Sequence, residues 1–248
     1  MLFREQENRV LAISQPAHAR ISGQLLRQWN DDLPEALLFG AEQHDIAWLE
    51  WEAAPTFNPD TRRPHGFREI GPAIHAPLWR RGVETALASY GRHVALLVSR
   101  HGSGVYRRFA RPAPGSADAA AVEAYFADHG ALQAEWMAEL QIDERAAAWQ
   151  SGLIAFVDAL SLALCGDLTT PLELQAPTKD GGAGKFHLAM EAGYAFQLEP
   201  WPFRGEKLVF EGEALRLPQG GRFESESAFR NYLRAPAREA FRSTLRRG

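Results

Sequence analysis

Five side chains of the kinds that bind metal ions recur between residues 18 and 158: His18, His44, Asp45, His101 and Asp158. The adjacent imidazole and carboxylate of His44 and Asp45, placed on one helix, point about 100° apart, so they can hold one cation or let the carboxylate bridge two. Asp158 lies in an apolar stretch, and a buried carboxylate there requires a partner, either an arginine such as Arg20 or Arg100 or a metal ion. The five residues together predict a metal centre.

Helices must position these residues. A short strand is predicted within residues 2–14, and apolar periodicity then predicts helices over 16–29, 34–51, 74–89, 92–100, 119–140 and 143–164. Residues 52–71 are polar and interrupted by prolines, which predicts a loop over a site. Gly102 and Gly104 are expected to loosen the chain after the fourth of these helices.

The pattern changes after Gly166. Alternating segments over 186–198, 207–210 and 214–217 predict short antiparallel strands, and residues 225–246 again have a helical pattern. The glycine-rich run 179–185 lacks the context of a phosphate-binding loop and predicts a flexible turn. We therefore expect a mainly α fold. It comprises a helical metal-binding domain over residues 1–168 and a smaller β-rich C-terminal extension over residues 169–248 that ends in a helix.

The composition is that of a globular protein with a substantial core: 248 residues, 46% hydrophobic and 23% charged. The net charge of −4 gives no reason to expect nucleic acid as the main partner. The first nine residues are charged, unlike a signal peptide, and no apolar run reaches the roughly 18 residues that span a bilayer. We expect a cytoplasmic protein that does not bind membranes, and its oligomeric state is left open.

The remaining chemistry-bearing residues have weaker surroundings. Cys165 is the only cysteine, which excludes an intrachain disulfide and a thiolate metal cluster. Four histidines, at positions 65, 93, 129 and 187, are interpreted as surface or hydrogen-bonded residues. His65 nevertheless follows Arg62 and Arg63 in the predicted loop, and His65 and Arg100 are the candidates for binding substrate.

The order His … His-Asp … Asp on successive helices resembles the HD superfamily of metal-dependent phosphohydrolases. The pieces Gln15-Pro16-Ala17-His18 and Glu42-Gln43-His44-Asp45 look most similar to an uncharacterised bacterial branch of that superfamily, and Asp158-Ala159-Leu160-Ser161 matches its last-helix aspartate motif. The similarity covers residues 10–168. It implies an HD-like helical bundle in which the first metal ion is held by His18, His44, Asp45 and Asp158.

Dinuclear members of the superfamily have two further histidines between the His-Asp pair and the last aspartate. His75 and His101 occupy that interval. His101 is predicted to be a ligand, and His75 is either the sixth ligand or a loop or helix-cap residue. The resemblance implies one or two divalent transition-metal ions, and nitrogen and oxygen ligands are compatible with Fe, Mn, Zn, Co or Ni.

The expected activity is hydrolysis of a small phosphorylated molecule, a phosphate ester or nucleotide, by a metal-activated water. Asp45 and His101 are the candidate catalytic residues, and Arg100, Arg62 and Arg63 are candidates for neutralising the phosphoryl oxygens. Two alternatives stay open. One is a di-iron oxygenase of the same superfamily, and the other is a metal- or ligand-binding module without catalysis.

Overall fold

The computed structural model describes residues 1–7, 9–166 and 168–248. Asn8, inside the segment predicted to contain a strand, and Asp167, near the end of the predicted helical domain, lie outside the described residues. The described helices are α1 (Gln15–Arg27), α2 (Glu35–Gln43), α3 (Leu49–Ala53), α4 (Pro72–Tyr90), α5 (Arg92–Phe109), α6 (Ala117–Leu140), α7 (Glu144–Leu164) and α8 (Glu226–Tyr232). Four of them have an N-cap residue whose side-chain oxygen accepts a hydrogen bond from a backbone N–H of the first turn. These residues are Ser14, Ser116, Asp143 and Ser225.

The strands come from both ends of the chain. They are β1 (Leu2–Gln6), β2 (Arg9–Ile13), β3 (Phe57–Asn58), β4 (Arg63–Pro64), β5 (Leu172–Pro177), β6 (Ala183–Met190), β7 (Ala195–Glu199), β8 (Lys207–Arg216) and β9 (Arg238–Arg247). Within the described residues, seven of them form one sheet in the order β1-β2-β8-β9-β7-β6-β5. Its pairs are antiparallel except β7 with β9, which is parallel. β3 and β4 form a separate hairpin.

The predicted fold class, a mainly α HD-like bundle with a small β part, is wrong. Helices account for 51% of the protein, and they pack with a large curled sheet. The sheet is larger than predicted because β2 pairs with β8, with Leu11 opposite Arg216 and Ala12 opposite Leu215, and because residues 238–247, predicted to be helical, form β9. A pairing between residues so distant in sequence leaves no local periodicity, so the sequence pattern could not assign the N-terminal hairpin to the C-terminal strands.

One apolar core lies between the sheet and the helices that follow β2. It contains inward-facing side chains of the strands, such as Leu11 and Leu245, together with Leu25 of α1 and Leu160 of α7. A second core lies among α4, α5 and α6. The first core has members on both sides of residue 168, and the predicted domain boundary there stays a prediction.

Helix α5 continues where a break was predicted. It runs to Phe109 through both Gly102 and Gly104. Gly102 is needed for packing, because a Cβ there would lie 2.5 Å from the hydroxyl of Tyr125 on α6 and 3.0 Å from the ring of Trp79 on α4. The glycine therefore allows three helices to approach closely beside His101.

The helix predicted over 34–51 is interrupted. α2 ends at Gln43, and a 3₁₀ turn, Ile46–Trp48, separates it from α3. The turn packs tightly on α4, since a Cβ at Gly82 would lie 2.7 Å from the Cα of Ala47. His44 and Asp45 lie in the interruption rather than on a continuous helix.

The helix predicted over 225–246 is wrong beyond Tyr232. Residues Arg238–Arg247 form β9, which pairs with β8 on one side and β7 on the other. Phe241, Ser243 and Leu245 are buried at alternate positions, as a strand requires.

Helix α7 is long and apolar enough, by length and composition alone, to cross a membrane. In this fold it is a core helix: 56% of the segment is buried, and it packs on α1 and on β5.

Candidate metal centre

Five side chains from four parts of the chain converge, and we call them the His–Asp cluster: His18, His44, Asp45, His101 and Asp158. They come from α1, the interruption after α2, α5 and α7, which pack against one another. Both imidazoles nearest Asp45 are fully buried, and Asp158 alone keeps appreciable side-chain exposure, at 20%. The folded chain therefore brings together all five residues that the sequence analysis selected first.

His18 is oriented by a hydrogen bond behind it. The hydroxyl of Ser161 donates to the backbone carbonyl of Asp158 at 2.8 Å, so its oxygen is free to accept from Nδ1–H of His18, also at 2.8 Å. Nε2 of His18 lies 2.8 Å from Oδ2 of Asp45, so a proton or a metal ion must lie between this nitrogen and the carboxylate, which only accepts. This arrangement suits coordination through Nε2.

His44 is oriented in the same way. Its Nδ1–H donates to the carbonyl of Ala41 at 2.8 Å, which directs Nε2 into the cluster. That nitrogen lies 3.4 Å from Oδ1 of Asp158 and 3.7 Å from Oδ2 of Asp45, and it has no hydrogen-bond partner among the described residues. A buried polar atom left without a partner costs about 1–3 kcal/mol. A proton or a cation between this nitrogen and the carboxylates would remove that cost.

His101 faces the same two carboxylates from α5. Its Nε2 lies 3.9 Å from Oδ1 of Asp45 and 3.9 Å from Oδ2 of Asp158. Its ring lies edge-on to His44, with centroids 4.5 Å apart, and Trp79 packs beside it. Burial and the neighbouring His44 lower the pKa of His101 to about 4, so it is neutral at pH 7.

Each carboxylate divides its oxygens between the histidines. Oδ2 of Asp45 and Oδ1 of Asp158 face His44, whereas Oδ1 of Asp45 and Oδ2 of Asp158 face His101. Two carboxylates with this disposition are able to bridge two cations.

The charges in the cluster depend on one another. Burial lowers the pKa of His44, but Asp45 and Asp158 outweigh it and raise that pKa to about 9. Burial alone would raise the pKa of both carboxyl groups, whereas the surrounding histidines, His44 foremost, hold each pKa below its ordinary value. The site therefore holds two carboxylates and at least one positive charge, from a proton or a metal ion.

The donor set fits a divalent transition-metal ion. The ligand atoms of His18, His44 and Asp45 lie within 4.8 Å of one another, as do those of His44, His101 and Asp158. Two ligands held at about 2.0–2.2 Å from one ion are separated by up to about 4 Å, so only small shifts are needed to enclose an ion. Imidazole and carboxylate ligands without thiolate match the metals expected from the sequence.

His75, the possible sixth ligand, belongs to neither of these groups among the described residues. It lies in the first turn of α4, where its Nδ1 is 2.7 Å from the hydroxyl of Tyr106 and its ring stacks on that ring. Trp48 packs on its other side. Burial lowers the pKa of His75 to about 4, despite the opposing charges of Asp118 and Asp45.

The two candidate substrate-binding residues are engaged outside the cluster. Arg100 donates to both carboxylate oxygens of Glu144, the shorter distance being 2.6 Å, and to the hydroxyl of Ser151. His65 lies 2.9 Å from the hydroxyl of Thr56. The alternative in which Arg100 neutralises Asp158 does not agree with these contacts, because the ionic partners of Asp158 in the described part of the chain are histidines.

Two other arginines from the sequence analysis also have partners elsewhere. The guanidinium of Arg62 donates to the carbonyl of Phe223, and that of Arg63 to Gly221 and Glu5. The 57–64 hairpin is thereby fastened to the C-terminal part of the chain.

Sequence reasoning missed the residues that orient the ligands. Ser161 was noted only as part of the aspartate motif, and Ser22 not at all. Both are fully buried and hydrogen-bonded to each other at 2.9 Å. The detectable signal was a pair of hydroxyl residues on the faces of α1 and α7 that carry His18 and Asp158.

The chain belongs to the family described as "Protein of unknown function (DUF3891)", whose model matches residues 1–219. This range contains the whole His–Asp cluster and the strands up to β8. No curated protein and no solved structure is significantly similar to the chain. The family description names no activity, and this match does not show membership of the HD superfamily.

Proposed function

We propose that the protein is a metal-dependent hydrolase of a phosphate ester or nucleotide and that the His–Asp cluster is its metal centre. The observation that carries the proposal is the buried Nε2 of His44, which faces oxygens of two carboxylates without a hydrogen-bond partner among the described residues. The order of the ligand residues, which resembles that of the HD superfamily, supports phosphoester hydrolysis as the reaction.

The ligand roles follow from the orientation of each donor. His18, His44, Asp45 and Asp158 would hold the ion, with Nε2 of both histidines directed inward. When bound, the ion would lower the pKa of a coordinated water toward neutrality and offset negative charge on the phosphoryl oxygens. His101 keeps an unprotonated Nε2 beside both carboxylates, so this atom is able to accept a proton or to serve a second ion.

A substrate would reach the cluster from the side of Asp158, whose side chain is the most exposed of the five. On α7, Ala155 lies one helical turn before Asp158 and Leu162 one turn after it, and both are partly exposed. On α5, the partly exposed Val105 lies one turn after His101. These apolar neighbours would limit water around the reacting groups. Because Arg100 is paired with Glu144, the metal centre rather than that arginine would offset the negative charge on the phosphoryl oxygens of the substrate.

Metal analysis of protein purified without chelator tests the proposal first. We expect one or two ions per chain in the wild type and almost none in His44→Ala or Asp45→Ala, with helical circular dichroism retained. His187→Ala is the matched control, because His187 is exposed on β6 and should leave the metal content unchanged. Unchanged metal in the His44 variant would contradict the proposal.

Activity is tested with phosphomonoesters, nucleotides and cyclic dinucleotides. Hydrolysis of at least one class is expected for the wild type and His187→Ala, and its loss is expected for the two ligand variants. A protein that binds metal stoichiometrically yet hydrolyses none of them would favour the non-catalytic module.

A di-iron oxygenase is the second candidate. It is favoured by the disposition of Asp45 and Asp158, each of which offers one oxygen to His44 and the other to His101. Two irons per chain, an optical spectrum and oxygen consumption would support it over the hydrolase.

A further inference from the structure

Two buried serines lie where the helices of the first and last ligands pack together. Ser22 on α1 and Ser161 on α7 are both fully buried. The hydroxyl of Ser22 lies 2.9 Å from that of Ser161 and 3.2 Å from the carbonyl of Val157. Ser161 in turn contacts Nδ1 of His18 and the backbone carbonyl of Asp158, each at 2.8 Å. The hydroxyl of Ser161 thus contacts both His18 and Asp158, the first and the last residues of the His–Asp cluster along the chain.

The hydrogen-bonding capacity of Ser161 is fully used in this arrangement. A serine hydroxyl has one proton to donate and two lone pairs that accept. The proton goes to the carbonyl of Asp158, one lone pair accepts from Ser22, and the other accepts from Nδ1–H of His18. Nε2 of His18 is then left to coordinate an ion beside Asp45.

We propose that Ser161 is a positioning residue of the metal centre, which fixes the tautomer and ring orientation of His18 and ties that ring to the backbone of Asp158. The inference rests on the metal centre of the proposed function and not on hydrolysis. Outer partners of ligating histidines contribute about 10- to 100-fold to metal affinity. Ser161 exerts that effect through His18, without contacting the ion.

The test is titration of Co²⁺ into the full-length, chelator-treated protein, followed by visible absorption. Ser161→Ala should raise the apparent Kd by about 10- to 100-fold and alter the absorption bands, because His18 can rotate. Ser161→Thr, which keeps the hydroxyl, should bind more tightly than Ser161→Ala. Ser103→Ala is the matched control: Ser103 is an equally buried serine, hydrogen-bonded to Gln133, so wild-type affinity is expected.

Wild-type Kd and spectrum in Ser161→Ala would overturn the inference, as would an equal loss in Ser103→Ala. If Ser161→Ala fails to fold, Ser161→Cys keeps the size of the side chain with a poorer acceptor and provides the same comparison. Loss of Co²⁺ affinity on changing Ser161, in a protein that hydrolyses no phosphoester, would sustain this role and remove the hydrolase proposal. A wild type that binds no Co²⁺ would overturn both.

Discussion

At the scale of single residues, the chemistry depends on which ring nitrogen of each histidine faces the carboxylates. In His18 and His44, Nδ1 is occupied by Ser161 and Ala41, and Nε2 faces inward. Nδ1 of His75 is likewise occupied, by the hydroxyl of Tyr106, but His75 belongs to neither group of potential ligands among the described residues. The effect on metal binding expected for His75 therefore differs from that expected for His18 and His44.

We predict that His75→Ala retains the metal content of the wild type, whereas His44→Ala loses it. Removing His75 eliminates a stacking contact and a hydrogen bond with Tyr106, but no inward-facing ligand atom. Elemental analysis of the two purified variants, side by side, measures this difference. Loss of metal from His75→Ala, with its fold intact, would restore His75 as a ligand.

The stability of the metal-free protein should depend on pH through His44. Its pKa is raised from 6.5 to about 9 in the folded state, so the folded protein holds this proton more tightly than the unfolded chain. The contribution of this proton to the free energy of unfolding is fully present below pH 6.5 and is lost as the pH rises toward 9. We expect the free energy of unfolding to fall over this interval in the wild type and not in His44→Gln, as measured by urea unfolding. A flat wild-type profile would refute the assignment.

At the scale of elements, α5 shows how one glycine allows close helix packing beside His101 of the His–Asp cluster. Gly102 follows His101 directly and faces Tyr125 and Trp79, whereas a Cβ added at Gly104 would meet no neighbouring heavy atom of the described residues within 4 Å. Two glycines on one helix, two residues apart, thus differ in what an added methyl group would contact.

We predict opposite effects for alanine at these positions. Gly102→Ala should cost about 1–3 kcal/mol through overpacking, whereas Gly104→Ala should stabilise by up to about 1 kcal/mol through helix propensity. For a chain of this size, 1 kcal/mol corresponds to a shift in Tm of about 2–4 °C. Thermal unfolding of the metal-free variants distinguishes the two, and an equal shift in both would contradict the packing argument.

The elements also show what could and could not be predicted from the sequence. The helical setting of His18 and Asp158 could be predicted because apolar periodicity is a local signal. β9 was missed because the spacing of Phe229, Leu233 and Phe241 also fits a helix, and only pairing with β8 and β7 selects the strand. Ser161 was missed as an orienting residue because its role depends on contact with another helix.

At the scale of the whole molecule, the sheet shares an apolar core with helices that carry the His–Asp cluster. Leu245 of β9 and Leu160 of α7 are fully buried in the same cluster. The resemblance covered residues 10–168 only, so the large sheet could not be predicted from it. The C-terminal strands therefore support the helices that carry the His–Asp cluster.

We predict that Leu245→Ala lowers the free energy of unfolding by about 2–5 kcal/mol, because it leaves a cavity in this core. Val209→Ala, on the neighbouring β8, is the control: Val209 is 42% exposed, so its effect should stay within about 0.5 kcal/mol. Urea unfolding followed by circular dichroism measures both. A cost below about 1 kcal/mol for Leu245→Ala would show that β9 contributes little to the core.

The pairing of β2 with β8 also has a consequence for the order in which the nascent chain matures. Residues 11 and 12 leave the ribosome long before their partners at 215 and 216 have been translated. All members of the His–Asp cluster precede β5, so the complete donor set has been synthesised while one edge of the N-terminal hairpin still lacks its neighbour. Contacts this distant in sequence slow folding, and the hairpin edge stays open to competing partners until translation reaches β8.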